Sequence, residues 1–332
     1  MGSGIWSHDT YRSRVTADAA AGRSTFAYSA SAASTPRDSW KAHDSLDPKG
    51  IETRESRDSA EHPNATAIAV FFDVTGSMHV VPEQLQKKLP ELFGLLLRKG
   101  FVTDPQIMMG AIGDAFADRV PLQVGQFESD NRIDDDLTNL LLEGGGGGGN
   151  HESYELALYI MARHTSIDCF EKHGRKGYLF IIGDERAYTV VSRGQVSDVI
   201  GDGLQEDISL ADIVREVGQR YNVFYLHPEE ASYVGDQDNV RFWTELLGQN
   251  YIQHVETGSI CETIASLIAA NEGTIGDMAE LTTALIDVGA SPSTVSSVER
   301  AVGSLVGAGI AVGTSEGPGL PGSDGTSGSR RI

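Results

Sequence analysis

Four oxygen-bearing side chains stand where a metal site or a nucleophile is easily built. In "AIAVFFDVTGSMHV" (67–80) an apolar run ends at Asp73, and Thr75 and Ser77 follow at every second position. In "GYLFIIGDE" (177–185) a second apolar run ends in acid, at Asp184. Residues two apart in an extended turn face one side, so Asp73, Thr75 and Ser77 can surround one point, with Gly76 relieving the turn. One carboxylate and two hydroxyls, with Asp184 opposite, are hard oxygen ligands. They suit Mg2+ at about 2.0–2.1 Å, with waters completing an octahedron. Two aspartates do not enclose the ion, so a position remains for a partner's oxygen. A lone Asp after a strand also reads as a turn or helix cap, and for Asp184 alone that reading weighs equally. The other chemistry open to Asp73 is that of a phosphoryl-accepting nucleophile.

These groups meet only if the elements beneath them are neighbours. "ATAIAVFFD" (65–73) and "GYLFIIGDE" (177–185) are continuous apolar runs, as in strands buried on both faces. Further strands are expected at 106–114, 119–128, 222–228 and 251–255, with the 106–114 and 119–128 pair antiparallel. Helical spacing marks 82–100, 133–143, 153–164, 210–221, 240–248 and 261–273, and Pro90 should kink or divide the first of these. Alternating strands and helices imply a doubly wound α/β fold. Its mainly parallel central sheet has helices on both faces and one antiparallel edge strand. In such sheets ligands bind beyond the carboxyl ends of the strands, at the switch point.

Around this core the chain divides by composition. Residues 1–60 form a partly irregular extension, in which "STFAYSASAAST" (24–35) reads as an edge strand or irregular chain. Residues 61–273 form the main domain and 274–311 a helical segment, and the Gly, Ser and Pro of 312–332 make a flexible tail.

Charge narrows the function. With 26 Lys+Arg against 47 Asp+Glu, the net charge is −21, which repels a phosphate backbone and argues against nucleic-acid binding. Cys169 and Cys261 lack metal-ligand spacing and read as inert thiols in a reducing compartment. No signal-peptide core opens the chain, and the weakly apolar tract 301–313 is too short for a bilayer. The expectation is a cytoplasmic, acidic protein with no membrane association.

The glycine run in "LLLEGGGGGGNHESYELALY" (140–159) is too flexible for a helix or strand. It reads as a loop that brings backbone close to a ligand and delivers Asn150, Glu152 or Ser153 to the metal, or as a linker capped by Asn150 or Ser153. No Lys-Ser/Thr follows the glycines, so it is not a phosphate-binding P-loop. Other sites carry less. The acidic stretch 130–136 lacks a calcium-loop pattern and reads as a solvated helix start. Asp114 reads as a turn cap or a second layer to the site. His227 and His254 are isolated, and Glu185 and Arg186 read as rim or solvated surface.

"DVTGSM" resembles the Asp-x-Ser/Thr-x-Ser motif of von Willebrand factor type A (VWA) domains, and the resemblance covers about residues 64–272. It looks closest to stand-alone bacterial or phage members. That family holds Mg2+ or Mn2+ in a metal-ion-dependent adhesion site (MIDAS) built from three loops. Asp73, Thr75 and Ser77 match the first loop, and Asp184 matches the third. The second loop's Gly-Gly-Thr is replaced by "GGGGGGNHES", so its role falls to Ser153 or Glu152. The resemblance implies a Rossmann-like, non-enzymatic, metal-dependent protein-binding module whose partner supplies a carboxylate. The rival is a Mg2+-dependent phosphatase or phosphotransferase of haloacid dehalogenase type with Asp73 as nucleophile, which "FFDVTGS" and "IIGDE" also resemble. Against it, Val74 stands where one branch has Lys, and Thr75 stands where the other needs a carboxylic acid. Its required Lys would have to be Lys172 or Lys176.

Overall fold

The two apolar runs that end in acid are adjacent parallel strands. The computed structural model describes residues 4–78, 80–145, 149–230 and 236–306, and the Ser77 side chain lies outside what is described. Its sheet contains β1 (Thr66–Asp73), β2 (Pro105–Ile112), β3 (Leu122–Val124), β4 (Gly177–Ile182), β5 (Tyr221–Pro228) and β6 (Ile252–Val255). Their order is β6-β5-β4-β1-β2-β3, all parallel except β3, which runs antiparallel to β2. From β1 the chain goes to β2 and β3 on one side, then returns to β4 on the other. The order therefore reverses at β1, and the topological switch point, where ligands bind in such sheets, lies beyond the ends of β1 and β4.

The longer helices are α1 (His8–Ala20), α2 (Val81–Phe93), α3 (Arg132–Asn139), α4 (Tyr154–Arg163), α5 (Leu210–Gly218), α6 (Gln237–Leu247), α7 (Ile260–Glu272), α8 (Met278–Asp287) and α9 (Pro292–Val306). Alternation along β1 sorts them into layers. Ile68, Val70 and Phe72 pack with Leu85 and Leu89 of α2, Ile264 of α7 and Val298 of α9. Ala67, Ala69 and Phe71 pack with Leu158 of α4, Ile213 of α5 and Trp243 of α6. Burying each large apolar side chain contributes about 1.5–3 kcal/mol, so the two layers fix both the register of β1 and the position of its last residue.

Three expectations change. The stretch 24–35 holds a short helix, Ala27–Ala32, in place of a strand. The 119–128 run pairs with β2 in two separate places, as a short strand at Leu122–Val124 and as a single antiparallel bridge from Glu128 to Ile107, and not as one continuous strand. Pro90 does not divide its helix: α2 runs through it to Phe93 and continues as a π-helical turn, Gly94–Arg98. The N-terminal extension is substantially helical and docked, with Trp6 stacked on Phe93 at 4.4 Å and Tyr11 buried. The flexible-tail reading of 312–332 lies outside the described residues, as do glycines 146–148. Among the described residues, no helix is long and apolar enough to cross a membrane.

Candidate functional site

Asp73 ends β1 with its carboxylate fully buried and already oriented. Oδ1 accepts the Thr75 N–H at 2.7 Å and the Thr75 hydroxyl at 2.6 Å. Oδ2 accepts the hydroxyl of Tyr154, from the first turn of α4, at 3.0 Å. The Val74 N–H donates to the Ile112 carbonyl at 2.9 Å, so the loop after β1 stays registered on β2.

Asp184 follows β4, the strand beside β1, and is also fully buried. Its backbone is pinned from α6 and β5. Asn239 Nδ2 donates to the Asp184 carbonyl at 2.7 Å, and Trp243 Nε1 and the Tyr225 hydroxyl donate to the Glu185 carbonyl at 2.9 and 3.0 Å. Gly183 is needed here for a steric reason. A Cβ at that position would lie 2.7 Å from Tyr154 Cζ, so only glycine lets the ring reach Asp73.

The second loop arrives through a short parallel bridge, His151–Glu152 beside Arg186–Ala187. It buries both candidates for the missing Thr, but in different states. Ser153 Oγ accepts the Ala115 N–H at 2.9 Å, and its own N–H donates to the Gly113 carbonyl at 3.0 Å, which ties the loop to the end of β2. Glu152 Oε2 is buried and has no hydrogen-bond partner among the described residues.

The electrostatics are those of crowded, buried acids. Burial pushes the Asp73 carboxyl up to about 7, and the Asp184 charge adds to this against the bonds from Thr75 and Tyr154. Burial and then the charges of Asp73 and Glu185 push Glu152 up to about 10. Burial, Asp73 and Asp184 push Glu185 up to about 8. Glu185 is therefore a buried member of this group and not solvated surface.

This donor set fits a hard divalent cation held by few protein ligands. Asp73 Oδ1 and Thr75 Oγ1 are 2.6 Å apart, close to the edge of about 2.9 Å in a Mg2+ octahedron. Among the described residues, no three acidic, His or Cys side chains gather as a metal cage. A hydroxyl-and-water site does not require one, because Mg2+ commonly takes one or two carboxylates and keeps several waters.

The remaining sequence candidates lie elsewhere or serve other roles. Asp114 Oδ1 accepts the Phe116 N–H and the Tyr188 hydroxyl, both at 3.0 Å, as expected of a turn cap. Within 130–136, Asp130 pairs with Arg132, and Asp134 and Asp135 pair with Arg14. His227 is buried beside His254, with ring centroids 5.2 Å apart, and burial lowers its pKa to about 4. Lys172 pairs with Asp168 at 2.6 Å. It and Lys176 precede β4, so six strand residues, about 20 Å, separate them from the switch point. Tyr154, Asn239 and Trp243 escape a sequence reading. Their polar atoms sit on otherwise apolar helix faces, and only the tertiary fold turns them toward the loop backbones.

No family model matches this chain, and no curated protein does. Solved structures give distant likenesses. The pilus adhesin SpaC from Lactobacillus rhamnosus GG, in its open conformation, is 9% identical with a TM-score of 0.44, over 67% of this chain and 31% of that one. Proximal thread matrix protein 1 from the mussel byssus is 10% identical with a TM-score of 0.40, over 68% of this chain and 51% of that one. This chain thus spans about a third to a half of those proteins' lengths. At such TM-scores the likenesses carry no argument about function.

Proposed function

We propose that the chain is a VWA-like protein-binding module that uses Mg2+ or Mn2+ to engage a carboxylate of a protein partner. The observation that carries this reading is the Asp73–Thr75 pair at the switch point, buried beside the acids of the neighbouring strand end. Asp73 and Thr75 hold the ion directly, with Ser77 as the third member of their motif and Asp184 opposite. Glu152 takes the second-loop role, since its free oxygen and raised pKa describe a carboxyl whose proton a cation can replace. Ser153 anchors that loop. A bound ion supplies a Lewis-acidic position open to one outside oxygen. Without the ion the buried acids offer a partner carboxylate no positive charge, which makes binding metal-dependent.

The phosphotransfer reading is weaker for a physical reason. The residue two beyond Asp73 is a hydroxyl that donates to Asp73 itself, and both candidate lysines lie at the opposite end of β4. The free, buried Cys169 and Cys261 fit a cytoplasmic setting.

Peptide display on the immobilised full chain tests the proposal, with selection in Mg2+ and elution by EDTA. Selected peptides should share an Asp or Glu whose change to Asn or Gln abolishes binding. Selection that ignores EDTA, or peptides with no required carboxylate, contradicts it.

A further inference from the structure

Arg37 reaches the glycine run from the N-terminal extension. Its guanidinium lies 3.2 Å from Asp118 Oδ1 and 2.8 Å from Glu143 Oε1. Both acid side chains are 2% exposed, while Arg37 is 52% exposed. Each acid also holds backbone. Asp118 Oδ2 accepts the Asp114 N–H at 2.8 Å, and Glu143 Oε2 accepts the N–H groups of Arg119 and Val120 at 3.0 Å. The Gly145 backbone rests directly on this ion pair. A Cβ there would run into Asp118 Oδ1 and sit 2.8 Å from the guanidinium. Beyond the pair, the Gly145 carbonyl accepts the Gly76 N–H at 3.1 Å, and the Gly144 N–H donates to the Val74 carbonyl at 3.2 Å. These two bonds bracket Thr75.

We propose that Arg37 is a positioning residue for the metal loop. It bridges Asp118 and Glu143, the bridged pair seats Gly144 and Gly145, and those glycines hold residues 74–76 so that the Thr75 hydroxyl stays on Asp73. Without the shared cation, two buried carboxylates flank a side-chain-free backbone and repel each other. The first arm of the glycine run then loses its seat. The forked guanidinium matters because two acids must be held at once, which a single ammonium does less well. This proposal rests on the metal-binding reading for its effect on affinity, but not for its effect on the loop.

The test compares the full-length wild type with Arg37→Ala, Arg37→Lys and Arg119→Ala. Arg119 pairs with Asp38, next to Arg37, on a side chain that takes no part in seating the glycines. Amide exchange at Gly76 and Gly144 is read in metal-free protein, and Mn2+ affinity by calorimetry. In Arg37→Ala, exchange at both amides should rise and Mn2+ affinity should fall by roughly five- to tenfold, with a native-like circular dichroism spectrum. Arg37→Lys should fall between, and Arg119→Ala should match wild type. Unchanged exchange in Arg37→Ala, or an equal effect from Arg119→Ala, overturns the proposal. If wild type binds no Mn2+, the metal reading fails while the exchange measurement still decides the role of Arg37.

Discussion

Tyr11 supplies the hydrogen bond that Pro90 cannot. Pro90 has no N–H for the Gln86 carbonyl four residues before it, and the Tyr11 hydroxyl donates to that carbonyl at 2.8 Å. A helix expected to break at Pro90 therefore continues, and it is the helix that leads out of the Asp73 loop.

Tyr11→Phe should lower stability by about 1–2 kcal/mol, because it leaves a buried carbonyl without a donor. Urea denaturation followed by circular dichroism checks this. An unchanged midpoint would show that Tyr11 contributes packing alone.

Gly183→Ala should disturb the site from beneath. The added methyl meets the Tyr154 ring, which Trp243 and Tyr225 box in at centroid distances of 5.6 and 6.2 Å, so the ring cannot retreat freely. Overpacking of this kind costs about 1–3 kcal/mol. The variant should melt earlier and bind Mn2+ more weakly. Wild-type values for both would mean that the Tyr154–Asp73 bond does not order the carboxylate.

Much of this arrangement is legible in the sequence, and the illegible part has a consistent cause. β1 and β4 announce themselves because strands buried on both faces need unbroken apolar runs, and Asp73 and Asp184 stand out by ending them. α1 does not announce itself. Tyr11 is its one buried residue, so no apolar stripe marks it, and contacts such as Trp6 on Phe93 hold it in place. Arg37 and Glu143 are 106 residues apart and look like ordinary surface charges until the fold joins them. Tyr154 looks like core because its ring is core, and only its oxygen belongs to the site.

The acids also predict a pH dependence. In metal-free protein the folded-state pKa values of Asp73, Glu185 and Glu152 stand at about 7, 8 and 10, above those of an unfolded chain. Over that window the unfolded chain has already lost these protons while the folded one keeps them, so their contribution to stability falls as pH rises from about 5 to 8. Asp73→Asn, which cannot ionise, should show a shallower fall than wild type in thermal melts with EDTA. An identical slope in the two proteins would mean that Asp73 titrates as it does in the unfolded chain.

A phosphomonoester assay separates the two chemistries of Asp73. The binding-module account expects no Mg2+-dependent turnover above the Asp73→Asn variant, since no leaving-group acid stands at position 75. Turnover that Asp73→Asn removes would establish the nucleophile.

Asp73 and Thr75 are proposed to hold a divalent cation at the end of β1. Titration of Mn2+ into EDTA-stripped full-length protein by calorimetry tests this most directly, beside Asp73→Ala and Thr75→Ala variants whose circular dichroism matches wild type. Wild type should show one saturable site, Asp73→Ala none that is measurable, and Thr75→Ala a weakened one. Equal Mn2+ affinity in all three proteins, or none in wild type, would contradict the proposal.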